Sequence, residues 1–141
     1  GERKRSKSLD NHIELAATPE ETEKRVMSMV TDPQRVRRDD PGNPDVCNVF
    51  TLHKIFSSGD EVNEIDHECR KAGIGCVDCK KKLAANLNQH LVPFREKREG
   101  LAQDPGLVQA VLKDGAKRAK VIAGETMAEV REAIGFFGSG R

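Results

Sequence analysis

The chain has 141 residues, 24 Lys and Arg against 23 Asp and Glu, 36% hydrophobic residues, 4% aromatic residues, and neither Trp nor Tyr. That length suits one domain, or one domain with part of another, and five Phe cannot fill a large sandwich or barrel. No apolar run is long enough for a transmembrane helix, no apolar stretch of a secretory signal follows the basic start, and a net charge of +1 argues against gripping nucleic acid by bulk electrostatics alone.

The chain opens without Met and closes on a Gly- and Phe-rich stretch, which we read as the ends of a piece of a longer protein. Near the start lies Lys4-Arg5-Ser6-Lys7-Ser8. Two lysines three positions apart, flanked by hydroxyls, suit a mobile loop that follows phosphate charge. The plainer reading is a solvated basic tail or a localisation signal.

Thr18-Pro19-Glu20-Glu21 predicts a helix start, with Thr18 as cap, Pro19 at the first helical position and Glu21 closing a capping box. Val26, Met27, Met29 and Val30 supply its apolar side. The stretch from Thr31 to Val49 holds Pro33, Pro41, Gly42 and Pro44 and reads as irregular. Its arginines, Arg35, Arg37 and Arg38, either contact phosphate or bases, or pair with Asp39 and Asp40 to pin a surface loop; the chemistry alone favours the loop. A second helix is expected from about Asp60 to Ala72, with Gly73 as its stop.

A third helix is expected from about Asp78 towards Arg98, with Leu83, Leu87 and Leu91 every four residues and Pro93 kinking or ending it. A short helix around Leu107 to Leu112 and a last one from about Ala116 to Ile134 complete the pattern, the latter with a core stripe of Ala119, Ala123, Met127, Val130 and Ile134. No period-two alternation persists, so the expected fold class is mostly α.

The sharpest chemical signal is cysteine. Cys47, Cys69, Cys76 and Cys79 have the spacing C-x21-C-x6-C-x2-C, and there are no others. A C-x2-C pair turns two thiolates towards one centre, and four thiolates complete either a tetrahedral zinc site or a four-iron cluster. The turn Gly73-Ile74-Gly75 lets the backbone bend between the second and third cysteines, and Arg70, Lys71, Lys80, Lys81 and Lys82 place positive charge nearby. Two disulfides would need an oxidising compartment, and inert buried thiols are the remaining reading. Structural zinc sites mostly use two knuckle pairs and this chain has one, which tilts the choice towards iron and sulfide.

Taken together, KRSKS followed by LDN, the helix opening TPEET, the run VTDPQRVRRDDPGNP and the cysteine block ending GIGCVDCKK resemble the bacterial tryptophan–tRNA ligases, class I aminoacyl-tRNA synthetases, in the subgroup with a 4Fe–4S cluster. The resemblance implies a KMSKS-like loop in residues 1–17, at the edge of a Rossmann-like catalytic domain absent from this chain, and a helical anticodon-binding domain in residues 18–141. It implies that Lys4, Ser6, Lys7 and Ser8 bind ATP, with Lys7 and Lys4 catalytic and Lys7 following the pyrophosphate as tryptophanyl-adenylate forms. Arg5 stands where the signature loop usually has Met. Cys47, Cys69, Cys76 and Cys79 would ligate the cluster, and Arg70, Lys80 and Lys81 would contact tRNA. The implied partners are tRNA(Trp), ATP with Mg and tryptophan, in a cytoplasmic homodimeric enzyme with no DNA or membrane role. The piece alone is expected not to aminoacylate. The rival reading is a stand-alone zinc-binding helical interaction module with no catalytic role.

Overall fold

The computed structural model describes residues 11–135, and among them every regular element is helical. Five α-helices run in chain order: α1 Pro19–Met27, α2 Asn48–Phe56, α3 Gly59–Arg70, α4 Cys76–Ala102 and α5 Pro105–Ala133, with a single 3-10 turn at Pro44–Val46. The chain divides into two compact units, the first ending at Glu96 and the second starting at Lys97.

In the first unit, local chemistry sets each helix end. Thr18 caps α1 as expected: its hydroxyl accepts from the Glu21 N–H, and the Glu21 carboxylate accepts from the Thr18 N–H at 2.8 Å. Ser58 caps α3 by accepting from the Glu61 N–H. α3 closes in a Schellman turn, with the Gly73 N–H donating to the Glu68 carbonyl and the Ala72 N–H to the Cys69 carbonyl. The left-handed residue of that turn is Ala72 at φ 60°, so Gly73, expected as the stop, sits one position later. A side chain at Gly73 would meet the end of the flexible Glu68 side chain, which would have to swing aside.

The core joins Val26 of α1, Val49, Phe50 and Leu52 of α2, Ile65 of α3 and Leu83, Ala84, Leu87 and Leu91 of α4, with Cys47 at its edge. The leucine stripe of α4 is therefore core, as its spacing predicts. Met29 packs against the same cluster, but Val30 is exposed and lies beyond the end of α1. Pro93 neither ends nor divides α4, which continues to Ala102. Pro93 and Gln89 are both exposed, so water can satisfy the Gln89 carbonyl that a proline nitrogen leaves without a donor.

The second unit corrects two expectations. The short helix at Leu107 and the helix from Ala116 are one continuous helix, α5; its start is capped by Asp104, whose carboxylate accepts from the Leu107 N–H at 3.0 Å. No residue of α5 is buried, so the stripe expected as core faces outward, Met127, Val130 and Ile134 included. Periodicity marks which side of a helix wants cover, but not whether cover is present.

Candidate functional site

The four cysteines fall where three helices begin or end. Cys47 is the N-cap residue of α2 and is buried; Cys69 is in the last turn of α3; Cys76 opens α4 and Cys79 follows one turn later on the same side. All four are free thiols. Each of the other three disfavours ionisation of Cys79, so the four share one electrostatic neighbourhood. Burial is the larger cause and pushes the Cys79 thiol up to about 12. Cys69 is raised too, by burial first, against the pull of Arg35.

The loop before Cys47 is built around this neighbourhood. The buried Asp32 carboxylate accepts from the Gln34 N–H at 2.9 Å and the Asn43 N–H at 2.8 Å, closing the loop at both ends. Asp40 accepts from the Arg37 backbone N–H at 2.6 Å, and Arg38 lies 3.8 Å from its exposed neighbour Asp39, so the expected Arg38–Asp39 pair is present while the bonds that close the loop are those of Asp32. The Gly42 N–H donates to the Cys69 carbonyl at 2.9 Å, and a Cβ on Gly42 would stand 2.6 Å from Cys69 Sγ. Glycine is required there by close approach to a thiol.

Two residues complete the surroundings: Arg35, read from the sequence only as a loop arginine, and His53, which sequence reasoning left out. Arg35 Nη1 stands 3.9 Å from Cys69 Sγ and 3.8 Å from Cys76 Sγ. His53 of α2 is fully buried, with Nε2 at 3.1 Å from the Cys79 carbonyl and 3.5 Å from Cys79 Sγ. Burial holds its ring below the usual histidine range, so it stays neutral. A carbonyl only accepts, so Nε2 carries the proton and Nδ1 accepts from the Ser57 hydroxyl at 2.7 Å. Asn86 donates in turn to Ser57 at 2.8 Å and to the Glu61 carboxylate. Only Asn48 and Val49 of α2 fall in the stretch read as irregular; the rest of the helix was not expected, and its N-cap residue, Cys47, makes no side-chain capping bond that would mark its start.

The residues expected to contact tRNA are differently engaged. Arg70 makes a two-pronged ion pair with Asp66 at 3.0 and 3.1 Å and a second with Asp45 at 2.9 Å. Lys80 donates to the Met27 carbonyl at 2.8 Å. Lys81 is exposed. Lys4, Ser6, Lys7 and Ser8 lie outside the described residues.

Among the described residues, no three or more His, Cys, Asp or Glu side chains are grouped to hold a metal ion. The convergence of four thiols expected from their spacing is thus not met among the described residues, and this bears equally on zinc and on a four-iron cluster. What the structure places at the four free thiols is a guanidinium facing two of them and a buried Arg35 Nε without a hydrogen-bond partner among the described residues.

The family description "tRNA synthetases class I (W and Y)" matches residues 1–92. The chain belongs to this family. As a class I synthetase sequence it is 42% identical over 133 residues to tryptophan–tRNA ligase of Aquifex aeolicus, covering 94% of this chain and 34% of that protein. It is 44% identical over 133 residues to tryptophan–tRNA ligase of Thermotoga maritima, covering 94% of this chain and 40% of that protein. Tryptophanyl-tRNA synthetase from Campylobacter jejuni superimposes with a TM-score of 0.82 at 31% identity, covering 94% of this chain and 42% of that one. The same synthetase complexed with ADP and tryptophan gives a TM-score of 0.81. The class I chain thus spans well under half the length of these relatives. This kinship disfavours the stand-alone zinc module.

Proposed function

We propose that this chain is the C-terminal part of a tryptophan–tRNA ligase, which activates tryptophan with ATP and Mg and transfers it to tRNA(Trp). The observation that carries this reading is identity of 42% and 44% to tryptophan–tRNA ligases across 94% of the chain. On this reading Lys4, Ser6, Lys7 and Ser8 form the ATP signature loop, with Lys7 and Lys4 offsetting charge on the departing pyrophosphate. Residues 18–141 form the helical anticodon-binding part. Lys81 is its freest candidate for tRNA phosphate; Lys80 and Arg70 must first release Met27 and their carboxylates. The complete enzyme works as a homodimer in the cytoplasm.

Cys47, Cys69, Cys76 and Cys79 hold a 4Fe–4S cluster on this reading. When bound, the cluster supplies an inorganic cross-link between the loop before α2, the end of α3 and the start of α4. The chain's own residues prepare that site: Asp32 closes the loop, Gly42 leaves room for Cys69, and neutral His53 fixes the first turn of α4 through the Cys79 carbonyl.

The test is direct. The purified chain is assayed for charging of tRNA(Trp), then for binding of tRNA(Trp) against the same tRNA with an altered anticodon, across a salt series. No charging, with tighter binding to the unaltered anticodon and a shallow salt slope, supports the reading. Equal binding of both tRNAs would sink it.

A further inference from the structure

We propose that Glu61 of α3 is a positioning residue for Cys79: acting through Asn86, Ser57 and His53, it decides which ring nitrogen of His53 carries the proton and so presents an N–H to the Cys79 sulfur. That this N–H serves a ligated sulfur rests on the cluster reading above; the control of the proton does not. The relay runs from α3 to Asn86 of α4, to Ser57 at the end of α2, to His53 of α2, and back to α4. A carboxylate only accepts, so Asn86 must turn its amide nitrogen, and not its oxygen, towards Glu61. The same nitrogen donates to Ser57 Oγ at 2.8 Å. Ser57 accepts there, which leaves its single O–H for His53 Nδ1 at 2.7 Å. A neutral ring has one N–H, and with Nδ1 accepting it sits on Nε2. Nε2 stands 3.1 Å from the Cys79 carbonyl and 3.5 Å from Cys79 Sγ, so one hydrogen faces both. The head of the relay is reached from outside: Glu61 and Asn86 are half-buried and line a groove of about 350 Å³ with Ser58 and Gln89. Its tail is the fully buried His53. A buried polar chain is tolerated when its members are satisfied, and here both ring nitrogens, the serine hydroxyl and the Asn86 nitrogen have partners. Run the other way, the relay would aim a lone pair at the Cys79 sulfur. A lone pair keeps the proton on sulfur, whereas an N–H favours the thiolate that a metal needs.

The experiment reverses the relay without removing it. In the double variant Glu61→Gln/Asn86→Asp the amide and the carboxylate change places, so the charge and the hydrogen bonds of the relay are kept. The carboxylate at position 86 can only accept from Ser57, whose oxygen then accepts from an Nδ1–H. Nitrogen NMR of the metal-free whole chain, labelled at histidine, reads the tautomer, and His53→Gln identifies the His53 signals. Wild type is expected to show Nε2–H alone, and the double variant to bring up the Nδ1–H form. A merely structural Glu61 would not move the tautomer. Nε2–H alone in both chains would overturn the proposal, because the Cys79 carbonyl would then set the proton unaided; Nδ1–H in wild type would overturn it too. Both chains are then loaded anaerobically with iron and sulfide and challenged with an iron chelator. The double variant is expected to give up iron about tenfold more readily. Equal retention after a moved tautomer would overturn the claim on the sulfur and leave the cluster reading intact. A wild-type chain that takes up neither iron nor sulfide would overturn the cluster reading, and the claim on a ligated sulfur with it, while the NMR result still decides the control of the proton. Should the double variant lose its helices, Glu61→Gln alone decides by the same signals: facing an amide, Asn86 can turn either way, so some Nδ1–H is expected, and its absence would overturn the proposal.

Discussion

Arg95 Nη2 donates to the hydroxyl of Thr22 at 2.8 Å, tying α4 to α1 across a site where Thr22 is fully buried. The same nitrogen donates to the Asn88 side-chain oxygen at 3.0 Å, and Asn88 donates to the Pro19 carbonyl at 3.1 Å. A buried hydroxyl receiving a charged donor is a directional contact, unlike the leucine packing beside it. Thr22→Val keeps the volume and removes the acceptor, so we expect a loss of about 1.5–3 kcal/mol in urea unfolding. Thr22→Ser, which keeps the oxygen, is expected to lose less. A loss in Thr22→Ser with none in Thr22→Val would show that the methyl group, and not the hydroxyl, matters.

Gly42→Ala tests the closeness of backbone to thiol. The added carbon would stand 2.6 Å from Cys69 Sγ and 3.3 Å from Arg35 Cδ, so Cys69 must move. We expect the chain to hold less iron and sulfide after anaerobic loading. Gly59→Ala, where nothing lies within 4 Å, is the control and should load normally. Normal loading of Gly42→Ala would show that Cys69 has freedom to spare.

Stability of the metal-free chain should fall on both sides of neutrality. On the alkaline side, the Cys79 thiol ionises near 9.0 when unfolded and is pushed up to about 12 when folded. The folded state therefore holds that proton longer, and its contribution is complete below pH 9 and lost as pH climbs towards 12. On the acid side, His53 is held below its ordinary value of 6.5, so the unfolded chain takes up a proton first and stability falls as pH drops through that value. Urea midpoints across pH check both limbs. Cys79→Ala should flatten the alkaline limb and leave the acid limb in place; an unchanged alkaline limb would remove Cys79 as its source.

Pro93→Ala should stabilise the first unit. α4 runs through Pro93 without the N–H that would reach the Gln89 carbonyl. Restoring that bond in an exposed turn is expected to gain about 1–3 kcal/mol, since proline costs about 3 kcal/mol in a helix interior and the turn has already adapted. A loss of stability on urea unfolding would mean that the proline ring supports the helix bend.

Short-range chemistry was the legible part of the fold. The Thr18–Glu21 box, the leucines of α4 and the Cys76–Cys79 pair each involve residues within a few positions, where geometry follows from helix pitch. The parts that were not legible depend on distant partners. His53 stands 26 positions before Cys79, and Arg35 is separated from Cys69 by 34 positions and from Cys76 by 41. Arg35 looked like one more arginine of a surface loop until Asp32 and Asn43 folded that loop back on the thiols. Lys80 looked free for the same reason, since its carbonyl contact comes from another segment, whereas the Arg70 pair with Asp66 was readable from helix spacing and only its pair with Asp45 was not.

The exposed apolar stripe of α5 has a thermodynamic consequence. The first unit owes its cohesion to shared side-chain burial, whereas a helix with no buried residue rests on its own backbone ladder, which is marginal in water. Calorimetry of this chain should then record a broad low-temperature melt of α5 ahead of a sharper one for the cysteine-bearing unit. One Tm would describe neither, and the van't Hoff enthalpy would fall short of the calorimetric value.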